Sequence, residues 1–313
     1  MENVVKNLVT NFPKSFQPTP SKSSRKAFRF SVLMLGLLAQ TACLGALPDG
    51  SGSGGGGNAP YSGGGAGIPA AGGGVGDSPQ SSPPSTPVVR DFQTDVLLFG
   101  GTGTWDEEVS ALEDLFQRQN VSYRLVSSGE LDEMSVEEIE RHGLVLFPGG
   151  YGGRQTSSLA SGTQARLRTA VQERGVGYVG FCAGAFMAVA PQPAPGEDAI
   201  YGLGIVKGSV LDYYFKENQG IEASIEEHRF ADGRSRDILW YGGPVTLDLP
   251  GGVVARYSNG DPAISQVWSG RGMVVLAATH PVVRTGVKED FGLEDPDGPD
   301  TVSYTHLTLP TKA

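Results

Sequence analysis

Residues 176–188 read Val-Gly-Tyr-Val-Gly-Phe-Cys-Ala-Gly-Ala-Phe-Met-Ala. The first six, Val176 to Phe181, form a short apolar run of the kind found in strands buried on both faces. Small residues follow Cys182 at Ala183, Gly184 and Ala185, where a helix is expected to begin. A strand, a single nucleophile and a helix opening on small residues describe a sharp turn that lifts one side chain above a sheet. A helix N-terminus also favours a thiolate, because its unpaired N–H groups stabilise negative charge.

The same grammar extends upstream. Thr94 to Phe99 is a short apolar run ending at Gly100-Gly101, and Asp106 to Gln119 carries Val109, Leu112 and Phe116 at helical spacing. Val121, Tyr123 and Leu125 alternate as in a strand. Ser135 with Glu138 makes a capping box for a short helix ending before Gly143. Leu144 to Phe147 reads as a strand broken by Pro148-Gly149-Gly150, and Gln164 to Arg174 as a helix closed by Gly175. Strand and helix in succession predict βαβ units, a mostly parallel sheet and helices on both faces, in one α/β domain. Ligands in such sheets bind at the carboxyl ends of the strands.

Downstream of Pro191 the pattern is harder to read. Asp237 to Tyr241 runs into Gly242-Gly243-Pro244, while Val253 to Tyr257 and Ala263 to Trp268 are strand-like. Gly270-Arg271-Gly272 turns into an apolar run, Met273 to Ala278, that delivers Thr279-His280-Pro281. A Cys nucleophile needs a base, and His280 ends a strand that can face the same crevice. Gly149 and Gly150 end a neighbouring strand, so their N–H groups are candidate oxyanion donors together with that of Ala183.

These motifs are recognisable as a set. LFPGGYGG, GYVGFCAGAFMA, WYGGP and AATHP resemble the class I glutamine amidotransferase-like superfamily, and within it the domain found at the N-terminus of some biotin–protein ligases. The resemblance spans roughly residues 93–285. It implies a flavodoxin-like fold, a Cys182 nucleophile, a His280 base and an oxyanion hole at Gly149, Gly150 and Ala183. Biotin-ligase activity is not implied, since no ligase catalytic segment is present, and no cofactor or metal is expected. Two positions depart from the superfamily. Val282 stands where a Glu often orients the histidine, leaving Glu107, Glu108, Glu289 or Asp290 as candidate orienting acids. Phe186 stands where glutaminases carry Gln, which argues against glutamine as substrate. Trp240 and Tyr241 are candidate pocket walls or core residues.

The remaining histidines carry blander readings. His142 is expected to be an exposed cation at a helix end. His228 follows Glu226-Glu227 in a loop or strand with no second metal ligand at telling spacing. Gly101-Thr102-Gly103 lacks the third glycine of a dinucleotide fingerprint and reads as a turn.

The flanks differ from the domain. Residues 22–43 place basic residues before an apolar run, Phe30 to Ala39, too short to span a bilayer but suited to a secretory signal. With Ala42 before Cys43 and Leu37-Leu38 upstream, the end of this run resembles a bacterial lipobox. The resemblance implies lipidation at Cys43, and Leu44 points to the periplasmic side of the outer membrane. An ordinary secretory signal or an amphipathic N-terminus are the other readings. Residues 44–90 are rich in Gly, Pro and Ser and read as a disordered tether, with a span of about 35–40 Å for a flexible coil of this length. Residues 91–301 are left for the domain. Val302 to Thr311 resembles a translated sequencing adaptor, so residues 302–313 are expected to be foreign to a domain cut near Thr301. His306 is set aside on that ground.

Charge excludes one partner class. Six basic residues against Glu2 alone give residues 1–43 a net +5, so the chain's total of −10 leaves −15 for the rest. An acidic body without a basic stripe is a poor ligand for nucleic acid. Three functions remain: a tethered Cys-dependent amidohydrolase or acyl-transfer enzyme, a binding module for a small amide or carboxylate, and a thiol sensor. With only Cys43 and Cys182 in the chain, a lipidated Cys43 leaves Cys182 as a lone thiol.

Overall fold

The protein is described here from a computed structural model, covering residues 80–82, 84, 90–189, 192–193, 200–206, 211–283 and 287–293. Four parallel-sheet strands come first: β1 (Thr94–Phe99), β2 (Tyr123–Val126), β3 (His142–Phe147) and β4 (Gly177–Phe181). Between them lie α1 (Asp106–Gln119), α2 (Ser128–Glu133), α3 (Val136–Glu140), α4 (Gly152–Ser157) and α5 (Ser161–Gln172), and α6 (Ala183–Ala188) follows β4. A small hairpin of β5 (Gln192–Pro193) and β6 (Ile200–Tyr201) precedes β7 (Ala223–Phe230), β8 (Ser235–Tyr241), β9 (Val253–Tyr257), β10 (Pro262–Ser269), β11 (Gly272–Ala277) and α7 (Val287–Asp290).

Local chemistry accounts for several boundaries. Asn120 ends α1 in the left-handed conformation, at φ 52°. Both α2 and α3 begin with complete capping boxes, Ser127 with Glu130 and Ser135 with Glu138. Each box satisfies two backbone donors that a short helix would otherwise leave to water.

One nine-stranded sheet runs in the order β2-β1-β3-β4-β11-β10-β9-β7-β8. The first five strands are parallel in the flavodoxin-like order, and the chain reverses direction of winding at β1. The other four pairings are antiparallel, so the sheet is mixed rather than mostly parallel. The reason is local: β10 and β11 are joined by only Gly270-Arg271, and so short a link permits only antiparallel pairing.

Alternation along β1 divides the core. Leu97 and Phe99 pack with Leu131, Ile139, Leu167 and Ala185 from α2, α3, α5 and α6. Val96 and Leu98 face the other way, onto Leu112 and Phe116 of α1. Helices therefore cover both faces of the parallel half. The antiparallel half has its own cluster of Tyr214, Trp240, Tyr257, Ala263 and Ala278. It also curls back on the parallel half, because the N–H of His280, just beyond β11, donates to the carbonyl of Leu239 in β8 at 2.9 Å.

The segment expected to be a tether enters the fold at its end. Gln80 exchanges two backbone hydrogen bonds with Trp268 of β10, at 3.1 and 2.7 Å. Arg90 donates to the carbonyls of Gly175 and His142 at 3.2 and 2.9 Å. The signal, the lipidation site at Cys43 and residues 302–313 lie outside the described residues. No helix among the described residues is long and apolar enough to cross a membrane.

Candidate active site

Cys182 occupies the turn between β4 and α6 at φ 46° and ψ −105°, a conformation that L residues rarely adopt. Glycine on both sides makes this turn possible. A Cβ on Gly180 would lie 2.3 Å from the Gly184 carbonyl oxygen, and one on Gly184 would lie 2.1 Å from that of Phe147. The Tyr178 hydroxyl donates to the Gly184 carbonyl at 2.7 Å, and the Cys182 N–H donates to that of Ala277 at 2.8 Å. The turn is thereby fixed to both β4 and β11. The thiol is 4% exposed, and Sγ donates to the Tyr241 carbonyl at 3.4 Å.

His280 is buried at the carboxyl end of β11. Its Nδ1 pairs with Oε1 of Glu108 at 3.1 Å, and Glu108 is wholly buried. Burial alone would lower the imidazole's pKa. The Glu108 carboxylate and the Cys182 sulfur outweigh that effect and push it up to about 10. Nε2 is buried and has no hydrogen-bond partner among the described residues, so it is the nitrogen left for the thiol. Val282, two residues on, is buried in the apolar core. A carboxylate on α1 thus reaches the imidazole where the resembled superfamily often uses one beyond the histidine.

The other Glu108 oxygen, Oε2, accepts from the Gly149 N–H at 2.6 Å. The Gly149 amide is therefore committed to Glu108 and is not available to an oxyanion. Gly149 serves by its size instead: a Cβ there would sit 2.3 Å from Cε1 of His280 and 3.0 Å from Oε2 of Glu108. Gly150, at φ 132°, and Ala183 have N–H groups with no acceptor among the described residues. The buried Gln155 amide steadies the loop by donating to the carbonyls of Pro148 and Gly149, both at 3.2 Å.

The walls differ from expectation. Trp240 is fully buried; its indole N–H donates to the Gly243 carbonyl at 3.1 Å and its ring packs on Tyr214, so it is core. Tyr241, next along β8, points the other way as a strand requires, and is 39% exposed. Its ring centroid lies 6.3 Å from that of His280 and 4.9 Å from that of Phe291. Trp105, at the N-cap of α1, stands perpendicular to His280 with centroids 4.9 Å apart. Sequence reasoning missed Trp105 and Phe291. The signal for Trp105 was its place in the loop after β1, where the strand order reverses.

The other acids and histidines lie elsewhere. Glu107 is exposed on α1, Glu289 belongs to α7, and Asp290 is exposed. His142 is 4% exposed, not a surface cation. Its Nδ1 meets the carbonyls of Glu138 and Ile139 at 3.1 and 3.2 Å, and burial lowers its pKa. His228 is buried within β7. Gly101-Thr102-Gly103 forms a turn closed by the Thr104 N–H donating to Gly101 at 3.3 Å. No group of three or more His, Cys, Asp or Glu among the described residues is arranged to hold a metal ion.

No protein-family model matches this chain, and no curated protein matches it. Solved structures do resemble it. One is a glutamine amidotransferase, 21% identical, with a TM-score of 0.44, covering 59% of this chain and 89% of its own. A second is a glutamine amidotransferase from Thermotoga maritima, 15% identical, TM-score 0.41, covering 64% and 81%. A third is a ThuA-like protein from Bacteroides uniformis, 12% identical, TM-score 0.36, covering 63% and 85%. These likenesses carry no residue role over to this chain.

Proposed function

We propose that this domain is a cysteine-dependent amidohydrolase or acyl-transfer enzyme acting on a small amide or carboxylic ester. The observation that carries the reading is the buried Nδ1–Oε1 contact of 3.1 Å between His280 and Glu108, which leaves Nε2 for Cys182. In the proposed reaction Cys182 gives its proton to Nε2 before the substrate carbonyl arrives. The thiolate–imidazolium pair so formed is the reactive state, its imidazolium held between the thiolate and the Glu108 carboxylate. The thiolate attacks the substrate carbonyl, and the oxygen that gains negative charge accepts from the Gly150 and Ala183 N–H groups. His280 then returns the proton to the departing amine or alkoxide, leaving a thioester on Cys182. Water or another nucleophile attacks the thioester, giving its proton to His280, and the thiol is restored.

The acyl intermediate is directly testable. Incubation with a p-nitrophenyl ester should place one acyl group on Cys182, visible by mass spectrometry, and the group should leave with time. An adduct that never leaves would instead favour the second reading, a binding module or thiol sensor. That reading is motivated by the resting contact of Sγ with the Tyr241 carbonyl.

The chain's setting is part of the proposal. Residues 1–43 export it, Cys43 carries the lipid, and the following Gly-rich segment tethers the domain on the periplasmic side of an outer membrane. Mass spectrometry of the mature N-terminus checks this: a diacylglyceryl group on Cys43 is expected, and a retained Met1 would contradict it. The likeness to the biotin–protein ligase N-terminal domain is a proposal about ancestry and not about ligase activity.

A further inference from the structure

Behind His280 lies a fully buried histidine that the proposed reaction does not use. His228, in β7, is 0% exposed. Its Nδ1 lies 2.8 Å from the Glu226 carbonyl oxygen, which can only accept, so Nδ1 carries the proton. Nε2 is then an acceptor, and it lies 3.1 Å from Oγ1 of Thr279. Thr279 is also 0% exposed and immediately precedes His280. Its hydroxyl therefore donates to His228.

The neighbours of His228 hold it in this tautomer. Tyr257 packs on its ring at 5.1 Å between centroids. The Glu226 carboxylate is turned to other partners: it accepts from Tyr214 at 3.1 Å, from Ser224 at 2.5 Å and from Lys216. Burial also opposes charge on the ring and holds its pKa down to about 4. A neutral, fixed acceptor is thus set against the residue that leads into the base.

We infer that His228 is a positioning residue that acts through Thr279 to hold His280 in register with Glu108. Three anchors then fix the base: its N–H on Leu239, its Nδ1 on Glu108, and the preceding side chain on His228. The first anchor allows rotation about the strand direction. The third removes that freedom, so Nδ1 stays aligned with Oε1. This inference rests on the reading of His280 as the base, but its test does not need turnover.

The test is the titration of the His280 ring, followed by long-range proton–nitrogen NMR in the folded protein. Thr279→Val keeps the shape of the side chain and removes the donor; Thr279→Ser keeps the donor. The His280 titration should fall by about one pH unit toward the ordinary histidine range in Thr279→Val, as its contact with Glu108 loosens. It should stay at its wild-type position in Thr279→Ser. His228→Leu should reproduce Thr279→Val, and the double variant should add little, as expected for two partners in one hydrogen bond. A wild-type titration in a folded Thr279→Val, or additive shifts in the double variant, would overturn the inference. Failure of Cys182 to acylate in wild type, with these shifts intact, would count against the proposed reaction and leave the positioning role standing.

Discussion

The parallel half of the sheet supplies the reacting side chains, whereas the antiparallel half supplies carbonyls that align them and the Tyr241 ring that walls the site. Cys182, His280 and Glu108 come from the ends of β4 and β11 and from α1 after β1. From β8, Leu239 and Tyr241 offer carbonyls, one to the His280 N–H and one to Sγ. The chemistry is thus held by one half and aligned by the other. Side-chain chemistry is written in residue types, but carbonyl positions depend on how the sheet curls. The two halves are therefore open to different kinds of disruption.

Two glycine substitutions separate these roles. Gly243→Ala would place a Cβ 1.7 Å from the Ala278 carbonyl oxygen, a backbone collision at the junction of β8 with the segment after β11. It should be the more damaging change, costing upwards of about 3 kcal/mol in urea unfolding. Gly149→Ala collides with the His280 ring, a side chain and not backbone, and should cost about 1–3 kcal/mol. Its clearer effect should be on reactivity, because the ring is driven off Glu108. A Gly149→Ala variant with normal Cys182 reactivity would break the division of labour between the halves.

Next in size is the pH dependence of stability. The folded state holds the His280 proton up to about pH 10, whereas an unfolded histidine releases it near 6.5. The stability from this proton is fully present below about pH 6.5 and is lost as pH rises through about 10. Wild type should therefore lose stability across that interval, and Glu108→Gln should flatten the profile. Parallel profiles in urea unfolding would sever His280 from Glu108. Smallest in its effect on the chemistry is the contrast between neighbours on β8. Trp240→Ala should cost about 3–5 kcal/mol with little direct change in chemistry. The half-exposed ring of Tyr241 should cost under about 1.5 kcal/mol when replaced by Phe, and labelling of Cys182 should change by less than threefold.

The same division explains what the sequence discloses. β1, β3, β4 and β11 are legible because strands buried on both faces appear as continuous apolar runs, and the turn around Cys182 is legible because only small residues fit there. β7 is not, because two of its inward residues, Glu226 and His228, are polar: Glu226 is satisfied by Tyr214, Lys216 and Ser224 just before it, and His228 by Thr279 in a distant segment. α2 carries the same capping box as α3, so its signal was present at Ser127 and Glu130. Glu108 and Glu107 are adjacent, and only the phase of α1 against β1 and β3 separates the buried acid from the exposed one. Gly149 reads in the sequence as an oxyanion donor; that its N–H goes to Glu108 and its Cα lies against the imidazole ring is not legible, since those contacts join loops from β3 and β11 with α1.

The central claim is that Cys182, His280 and Glu108 act as one unit. The rate of Cys182 labelling by iodoacetamide between pH 5 and 9 tests it most directly, in wild type and His280→Ala. At pH 6 the wild type should react at least about tenfold faster than a free cysteine peptide, because the imidazolium stabilises the thiolate there. His280→Ala should fall to the peptide's rate or below. Wild-type and His280→Ala curves that coincide across the whole range would contradict the account.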